Sequence, residues 1–310
     1  MAECSTRYAP AMPFGLLTGL GAALSWGTMD VASALASRRV GSLVVTAGVV
    51  VVSAVLLVVM TLASGTPLPA DPRTLGASGL LGLIGAGAYV AYFTGLQVGP
   101  ISVVSGMVAA YGGLTVVLSV VLRGESLNLV QAFGAVVATA GVILTGVAFE
   151  GGLRGTRFAG PGVVFAVIAL VLFSMMAITT DVALESGSWL QVLLVSRVVT
   201  AVISVVLVAV VLGRRGRGGS WVTVPSGDGP IQRGRVMMAI VLAGILDVLG
   251  LISFAIGLER APTWLVGLAS SFGPAVTILV AVALLGERLK AIQGVGLAGV
   301  AVGMIAIALP

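Results

Sequence analysis

The chain has 310 residues, of which 58% are hydrophobic and only 9% are charged. A soluble domain needs roughly a quarter of its residues charged to cover its surface, so this composition excludes an ordinary soluble fold. The formal net charge of +5 does not indicate a nucleic-acid partner, because the basic residues lie almost entirely in loops beside apolar segments. Histidine is absent and the single cysteine is Cys4, so we expect no intrachain disulfide, no metal site and no cofactor.

Continuous apolar runs predict an all-α integral membrane protein with ten transmembrane helices, because a spanning helix needs about 20 mostly apolar residues. Barrel strands would instead alternate polar and apolar residues. The first run is interpreted as a retained span and not as a signal peptide. In chain order, the predicted spans are 14–36, 42–63, 75–97, 99–122, 129–149, 160–183, 189–212, 236–258, 264–286 and 291–309.

Residues 213–235, between spans 7 and 8, hold five arginines among glycine, serine and proline. This pattern predicts a mobile basic loop that anchors the topology; a lipid-headgroup or partner site is the alternative. Loops 1, 3, 5, 7 and 9 carry most of the basic residues of the chain. The positive-inside rule therefore predicts a multi-pass protein of the plasma membrane with both termini outside.

An eleven-residue motif occurs twice, at an offset of 162 residues: at Gly124-Glu125-x-Leu127-x-x-x-Gln131-x-x-Gly134 and at Gly286-Glu287-x-Leu289-x-x-x-Gln293-x-x-Gly296. The first copy lies between spans 4 and 5 and the second between spans 9 and 10. Five spans separate the copies, and an odd number of crossings inverts the second copy relative to the first. The chain is therefore predicted to be two inverted five-helix repeats, residues 1–150 and 151–310.

The repeated glutamates, Glu125 and Glu287, lie where one helix ends and the next begins. A carboxylate at this point can accept hydrogen bonds from the free N–H groups at the start of span 5 or span 10. We expect this structural role for both residues, with substrate contact as the alternative. Gln131 and Gln293 lie one turn onward and are expected to share the role.

Two ionisable residues lie within predicted spans: Arg197 in span 7 and Asp247 in span 8. A charge at the centre of a membrane helix costs about 2.5 to 3.5 kcal/mol, so each should face a cavity or a partner. If spans 7 and 8 are neighbours, the two residues can pair, either as a fixed ion pair or as a gated charge that binds substrate or a proton. Both readings stay open.

Asp30 in span 1 either faces a wet vestibule or is an interfacial carboxylate near Arg38 and Arg39. Since the chain has no histidine, any coupling to protons would have to use the carboxylates, and exchange without protons is the alternative.

Few aromatic residues are available to line a central cavity. The candidates are Trp26, Tyr89, Tyr92, Tyr111 and Trp264, with interfacial anchoring as the competing account for Trp264. Pro274 lies inside span 9, where proline removes a backbone hydrogen bond, so it is a candidate hinge.

The duplicated pattern is Gly-Leu-x-x-x-Pro, an apolar span, Gly-Glu-x-Leu, Gln-x-x-Gly and a later glycine, over residues 95–143 and 257–305. It resembles the EamA-domain family of the drug/metabolite transporter superfamily. The resemblance implies a ten-helix carrier with a central cavity lined by spans 1 to 4 and 6 to 9, and with spans 5 and 10 packed behind. Members commonly move amino acids or toxic compounds outward. Their termini are usually cytoplasmic, opposite to what the arginines predict here.

The predicted function is a secondary transporter, in the direction of export, of small metabolites such as amino acids or drug-like compounds. It would work by alternating access around a midplane site, with the lipid bilayer, the substrate and possible coupling protons as partners. The alternative is a non-transporting membrane scaffold or regulatory protein. An enzyme is not expected, because the chain has no His-Glu-x-x-His and no Gly-x-Ser-x-Gly motif. Monomer and homodimer both stay open.

Overall fold

The computed structural model describes residues 11–98, 104, 107–147, 161–215, 233–273, 275–276, 279–280, 283 and 291–308. These residues form ten helices and no strand, and each helix corresponds to one predicted span. The helices are α1 (Ala11–Val40), α2 (Ser42–Ser64), α3 (Pro72–Val98), α4 (Tyr111–Arg123), α5 (Leu129–Val147), α6 (Pro161–Leu184), α7 (Trp189–Arg215), α8 (Arg233–Leu258), α9 (Thr263–Ser270) and α10 (Ala291–Ala308).

Five of the described helices contain a segment long and apolar enough to cross a bilayer, judged by length and composition. These segments are Leu43–Ser64, Pro72–Tyr92, Pro161–Leu184, Trp189–Val211 and Arg233–Leu258. Shorter apolar helices cover Tyr111–Arg123, Leu129–Leu144 and Gly294–Ile307. The chain is an all-helical, multi-pass membrane protein.

The helices next to the predicted basic loop are longer than expected. Helix α7 continues to Arg215 and α8 begins at Arg233, so both ends of the predicted 213–235 loop are helical. Residues 216–232 lie outside the described part of the chain. Arginine favours helix, and its long side chain reaches water from a helix end, so these helices can continue past the apolar segment.

The connection between α2 and α3 is fixed by polar contacts. The Thr74 N–H donates to the Asp71 carboxylate at 2.9 Å, which caps α3 and holds the pKa of Asp71 below its usual value. The Thr74 hydroxyl also donates to the Ser186 carbonyl at 2.9 Å, and the Gln191 side chain donates to the Pro67 carbonyl at 2.8 Å. The α2–α3 and α6–α7 connections therefore lie side by side.

Spans 4 and 9 are interrupted, whereas the sequence predicted continuous helices over 99–122 and 264–286. A turn at Ala109–Ala110 precedes α4, and a turn at Ser271–Phe272 follows α9. Ala110 (φ −74°, ψ −2°) and Ser271 (φ −70°, ψ −4°) have the backbone of a tight turn. The prediction was wrong because the apolar pattern runs through both turns. The two turns are 162 residues apart, which is the offset of the repeated motif.

Helix packing has the same pattern in the two halves. Helix α5 packs against α10, α4 against α9, and α2 against α7. Helix α1 packs against α8 and α9, and in the same way α6 packs against α3 and α4. Helix α2 contacts α8 as α7 contacts α3. Exchanging α1–α5 with α6–α10 therefore leaves this set of principal contacting pairs unchanged.

Glycines allow the backbones of α5 and α10 to touch. A Cβ on Gly141 of α5 would lie 2.6 Å from the Val300 nitrogen and 2.7 Å from the Gly296 oxygen. A Cβ on Gly134 would likewise lie 2.8 Å from the Gly303 oxygen. Small residues that bring two backbones together are typical of membrane helix pairs. This glycine-rich surface is used within the chain.

We predict that Gly141→Ala lowers the thermal stability of the detergent-solubilised protein. The added methyl group would meet backbone atoms, which cannot move aside as a flexible side chain can, and such overpacking costs about 1 to 3 kcal/mol. The matched control is Gly79→Ala in α3, because a Cβ on Gly79 has no neighbour within 4 Å. Its melting temperature should stay equal or rise slightly. Equal melting temperatures for the two variants would contradict close α5–α10 packing.

Candidate functional site

Four aromatic side chains from three helices meet in the interior. Phe173 of α6 lies at the centre, with ring centroids of Tyr89 and Tyr92 (α3) at 5.7 and 6.2 Å and of Tyr111 (α4) at 6.1 Å. All four side chains are half-buried. We call these residues the aromatic cluster. Sequence reasoning selected the three tyrosines but missed Phe173, which nothing in its apolar span distinguishes from a packing residue.

Tyr111 lies where the two interrupted helices cross. It is the first residue of α4, and its hydroxyl is 3.2 Å from the Ser270 hydroxyl at the end of α9. The Ser174 hydroxyl of α6 donates to the Tyr111 carbonyl at 2.9 Å. A Cβ on Gly112 would lie 2.5 Å from the Ser271 Cβ, so the crossing needs glycine at this position. The two interruptions therefore face each other beside the aromatic cluster.

The depth of this crossing follows from helix geometry. Tyr111 is twelve residues before Arg123, the last residue of α4. At a rise of 1.5 Å per residue this places Tyr111 roughly 18 Å from the end of the helix. The hydrocarbon core of a bilayer is about 30 Å thick, so Tyr111 lies near its middle.

Arg197 and Asp247 form a buried ion pair, with 3.0 Å between the Arg197 Nη2 and the Asp247 Oδ1. Their side chains are only 5% and 1% exposed. Arg197 also hydrogen bonds to the Tyr89 hydroxyl. The other carboxylate oxygen of Asp247 has no hydrogen-bond partner among the described residues. The pair considered from the sequence is thus present, and Tyr89 links it to the aromatic cluster.

Asp30 lies on the face of α1 that packs against other helices, because Trp26 and Gly27, four and three residues earlier, contact Phe254 and Gly273. Its side chain is exposed, yet it lies within electrostatic range of the Tyr89 and Tyr111 hydroxyls on α3 and α4. Within the described part of the chain it makes no hydrogen bond or ion pair. An exposed carboxylate directed at facing helices lines a space between them, so the geometry favours the vestibule reading over an interfacial position.

The two candidate tryptophans differ. Trp26, one turn before Asp30, is half-buried and packs on Phe254 of α8 with 5.7 Å between the ring centroids. Trp264 is only 1% exposed and belongs to an apolar core cluster that includes Phe272. The first turn of α9 is covered by side chains of neighbouring helices, so the structure favours neither the cavity nor the anchoring prediction for Trp264.

Glu125 caps α9 and not α5. Its carboxylate accepts hydrogen bonds from the Thr263 N–H at 2.8 Å and from the Trp264 N–H at 3.0 Å. The prediction named the correct chemistry but the wrong helix. Helix α9 begins after Pro262, which has no side-chain acceptor, so its free N–H groups need a carboxylate from elsewhere.

Helix α5 has a cap of its own. The Asn128 side chain accepts from the Gln131 N–H at 2.8 Å, and the Gln131 side chain accepts from the Asn128 N–H at 3.0 Å. This reciprocal arrangement is a capping box, and the Asn-x-x-Gln spacing could have identified it. Of the other junction and hinge residues, Glu287 and Pro274 lie outside the described residues, and Gln293 lies in α10 with its side chain outside them.

Charged contacts join the α4–α5, α6–α7 and α8–α9 connections, and we call this end of the molecule the connector end. Arg123 pairs with Asp181 at 2.7 Å and with Glu185 at 2.5 Å. Arg260 lies over the Phe14 ring at 5.1 Å. A polar cavity of about 240 Å³ lies between these groups and is lined partly by Glu125. The connector end is thus held together by ion pairs and by the Glu125 cap.

A larger groove, of about 870 Å³, lies between α4 and α5. Its lining is almost entirely apolar, with valines and alanines such as Val117 and Ala135. It includes neither the aromatic cluster nor the Arg197–Asp247 pair, and it offers few groups that could bind a polar molecule.

Comparison with known proteins agrees with this architecture. A profile described as the EamA-like transporter family matches residues 13–147 and 160–309. The chain belongs to the EamA-like transporter family. This confirms the resemblance drawn from the duplicated motif. No curated protein matches the chain.

Twenty-nine chains of solved structures match the chain. One is a crystal structure with a TM-score of 0.76 at 22% identity, covering 94% of this chain and 95% of that chain. At this identity the likeness shows the fold alone.

In this EamA-like chain, the structure brings most of the candidate residues together near the middle of the bundle. Helices α1, α3 and α4 supply Asp30, Tyr89 and Tyr111, and α7 and α8 supply Arg197 and Asp247. The group combines hydroxyls, aromatic faces and charges in an otherwise apolar bundle. It can therefore bind and orient a small polar molecule, whereas Glu125 and Gln131 lie at the connector end and hold helices.

We predict that Arg197→Met strongly destabilises the protein, because it leaves Asp247 buried without its partner. Breaking a buried ion pair in this way costs about 3 to 5 kcal/mol, whereas replacing both partners by apolar residues is often neutral. The double variant Arg197→Met with Asp247→Leu should therefore recover most of the lost melting temperature. Thermal unfolding of purified protein measures both. If the double variant is as unstable as the single variant, the loss of stability does not come from an unpaired Asp247. The ion pair that the structure shows would then be contradicted.

Proposed function

We propose that this EamA-like protein is a secondary transporter that exports small metabolites, such as amino acids or drug-like compounds, across the plasma membrane. The observation that carries the proposal is the pair of interrupted helices that cross at Tyr111 and Ser270 near mid-depth. Interrupted helices at corresponding positions of two halves are typical of transporter substrate sites, because only a cavity or the protein interior tolerates irregular backbone in a membrane.

The two halves, residues 1–150 and 151–310, are proposed to be inverted repeats. Five helices separate equivalent positions, so equivalent helices cross the membrane in opposite directions. The principal helix contacts are unchanged when the halves are exchanged, which supports this relation, and the two interruptions are separated by the repeat offset of 162 residues. Rocking of one half against the other would then open the site to each side in turn.

The described contacts support a state that is closed at the connector end. Arg123 and Glu125, at the α4–α5 connection of the first half, bind Asp181 of α6 and the first turn of α9 in the second half. Opening at this end must break these contacts. Asp30 lies sixteen residues beyond Phe14 in α1, roughly 24 Å from the connector end, and its side chain is exposed. We infer that the site is reached from the opposite end in this state.

The driving force is proposed to be a gradient of protons or of an exchanged solute. The sequence has no Gly-x-x-x-x-Gly-Lys-Ser/Thr loop for a nucleotide. The proposal includes no chemical conversion of the substrate, because alternating access requires only binding and release on opposite sides.

Counterflow in liposomes tests transport. The test uses vesicles that contain the purified protein and are preloaded with an unlabelled compound, and it measures uptake of the same compound in labelled form. For at least one member of a panel of amino acids and cationic drugs, this uptake should exceed the uptake into vesicles without protein. Adding a pH gradient tests proton coupling. Faster loss of preloaded label from cells that express the chain tests export. Absence of flux across the panel would favour the scaffold or regulatory alternative.

We predict that Arg123→Gln opens the connector end more often. The two ion pairs of Arg123 are partly exposed and contribute about 1 kcal/mol or less each, so the closed state should weaken severalfold. The readout is labelling of Ser270→Cys, in a Cys4→Ser background, by an impermeant maleimide. Labelling should be several times faster in Arg123→Gln. The reagent is added on the side where Cys4 of the wild-type chain reacts, which we infer to be outside.

Arg73→Gln is the matched control, because Arg73 is an exposed arginine at the same end and pairs with neither Asp181 nor Glu185 among the described contacts. Its labelling rate should equal that of the parent protein. Equal rates for Arg123→Gln and Arg73→Gln would show that the Arg123 ion pairs do not close this end.

A further inference from the structure

Among the residues that the structure describes, the interior site carries one uncompensated negative charge, that of Asp30. Arg197 and Asp247 neutralise each other at 3.0 Å. Asp30, within electrostatic range of the same tyrosines, makes no ion pair with any side chain that the structure describes. Within those residues Arg197 is also the one buried basic side chain. A carboxylate on a substrate would therefore find no free cation here, whereas a positive charge would find Asp30.

The walls beside Asp30 are aromatic. Asp30 lies within electrostatic range of Tyr89 and Tyr111, which pack with Tyr92 around Phe173 and keep part of each ring exposed. Aromatic faces attract ammonium groups through the ring quadrupole, and tyrosine is among the better rings for this purpose. A metal ion would instead need several oxygen ligands, and the described residues contain no group of three acidic side chains that could hold one.

A similar segment in the second half, at an offset of 151 residues and not 162, shows what an aspartate does when a cation is available. Thr28-x-Asp30-Val31-Ala32 of α1 resembles Thr180-Asp181-Val182-Ala183 of α6. Asp181 binds the Arg123 guanidinium at 2.7 Å. Asp30 has no such partner among the described residues, so its position is open to a cation from outside the chain.

We propose that the interior site binds a monovalent organic cation, an ammonium group attached to an apolar body, with Asp30 as the counter-ion and the aromatic cluster as the wall. This inference rests on the proposed transport function and names its substrate class. Arg197, which is fixed by its ion pair with Asp247, positions Tyr89 through a hydrogen bond. A zwitterion or an anion is disfavoured, because the one buried arginine that the structure describes is already paired.

Binding of phenyltrimethylammonium to the purified full-length protein, measured by calorimetry in detergent, tests the proposal. Phenylalanine and benzoate serve as zwitterionic and anionic comparators of similar size. We expect the cation to bind and Asp30→Asn to weaken it at least about tenfold, since a charge pair a few ångströms apart near a protein surface is worth more than one factor of ten in affinity. Asp30→Glu should retain most of the affinity.

Glu259→Gln is the matched control, because it removes an exposed carboxylate at the connector end that makes no ion pair among the described contacts and lies away from the aromatic cluster. Its affinity for phenyltrimethylammonium should stay within about twofold of wild type. The ring is tested at Tyr111: Tyr111→Leu should weaken binding about three- to tenfold, whereas Tyr111→Phe keeps the aromatic face and should weaken it less. If Asp30→Asn does not give a monodisperse protein, the Tyr111 pair decides the question.

The outcomes separate this inference from the proposed function. Unchanged affinity in Asp30→Asn, or equal affinities in Tyr111→Leu and Tyr111→Phe, would overturn the cation site. Counterflow of phenylalanine by a protein that does not bind phenyltrimethylammonium would also overturn it, while leaving the transporter intact. If no compound binds and none is transported, both the site and the transport function are rejected.

Discussion

Inside a bilayer every backbone N–H and C=O must find a partner within the protein, and this constraint underlies both the site and the closed end. It explains why every regular element in the described part of the chain is a helix. It also makes the two interruptions informative, since the turns at Ala110 and Ser271 survive only where the protein itself surrounds them. At the start of α9 the same requirement is met by Glu125, because Pro262 cannot supply a side-chain acceptor.

The sequence repeat accounts for how the helices pack. The positions at which the two repeats differ account for the polar side chains of the interior site. The glycine-lined α5–α10 contact and the paired interruptions come from the repeat. The residue 162 positions after Tyr111 is Gly273, so only one of the two crossing helices contributes a phenol at its interruption. Arg197 and Asp247 also lack charged equivalents at the repeat offsets. A symmetric framework thus carries an asymmetric group of polar side chains.

Much of the fold could be predicted, because apolar runs and lengths decide where membrane helices lie. The interruptions of spans 4 and 9 could not be predicted, because the apolar pattern continues through Ala109 and Phe272. Glu125 shows a second limit: helix capping predicts a carboxylate near free N–H groups, but only tertiary structure says that they belong to α9. The pairing of Arg197 with Asp247 followed from the cost of a buried charge, whereas Phe173 has no chemical signature that separates it from other packing residues.

Helix α9 connects the closed end with the site. Its first turn is bound by Glu125, and its last residue, Ser270, hydrogen bonds to Tyr111. Eight helical residues make a rod of roughly 12 Å, which moves as a unit because its own hydrogen bonds are intact. In the proposed cycle, release of the Glu125 cap frees the first turn of this rod, and the displacement reaches Tyr111 at the other end. The turn at Ser271 absorbs the change in direction, so opening of the connector end and rearrangement of the aromatic cluster become one event.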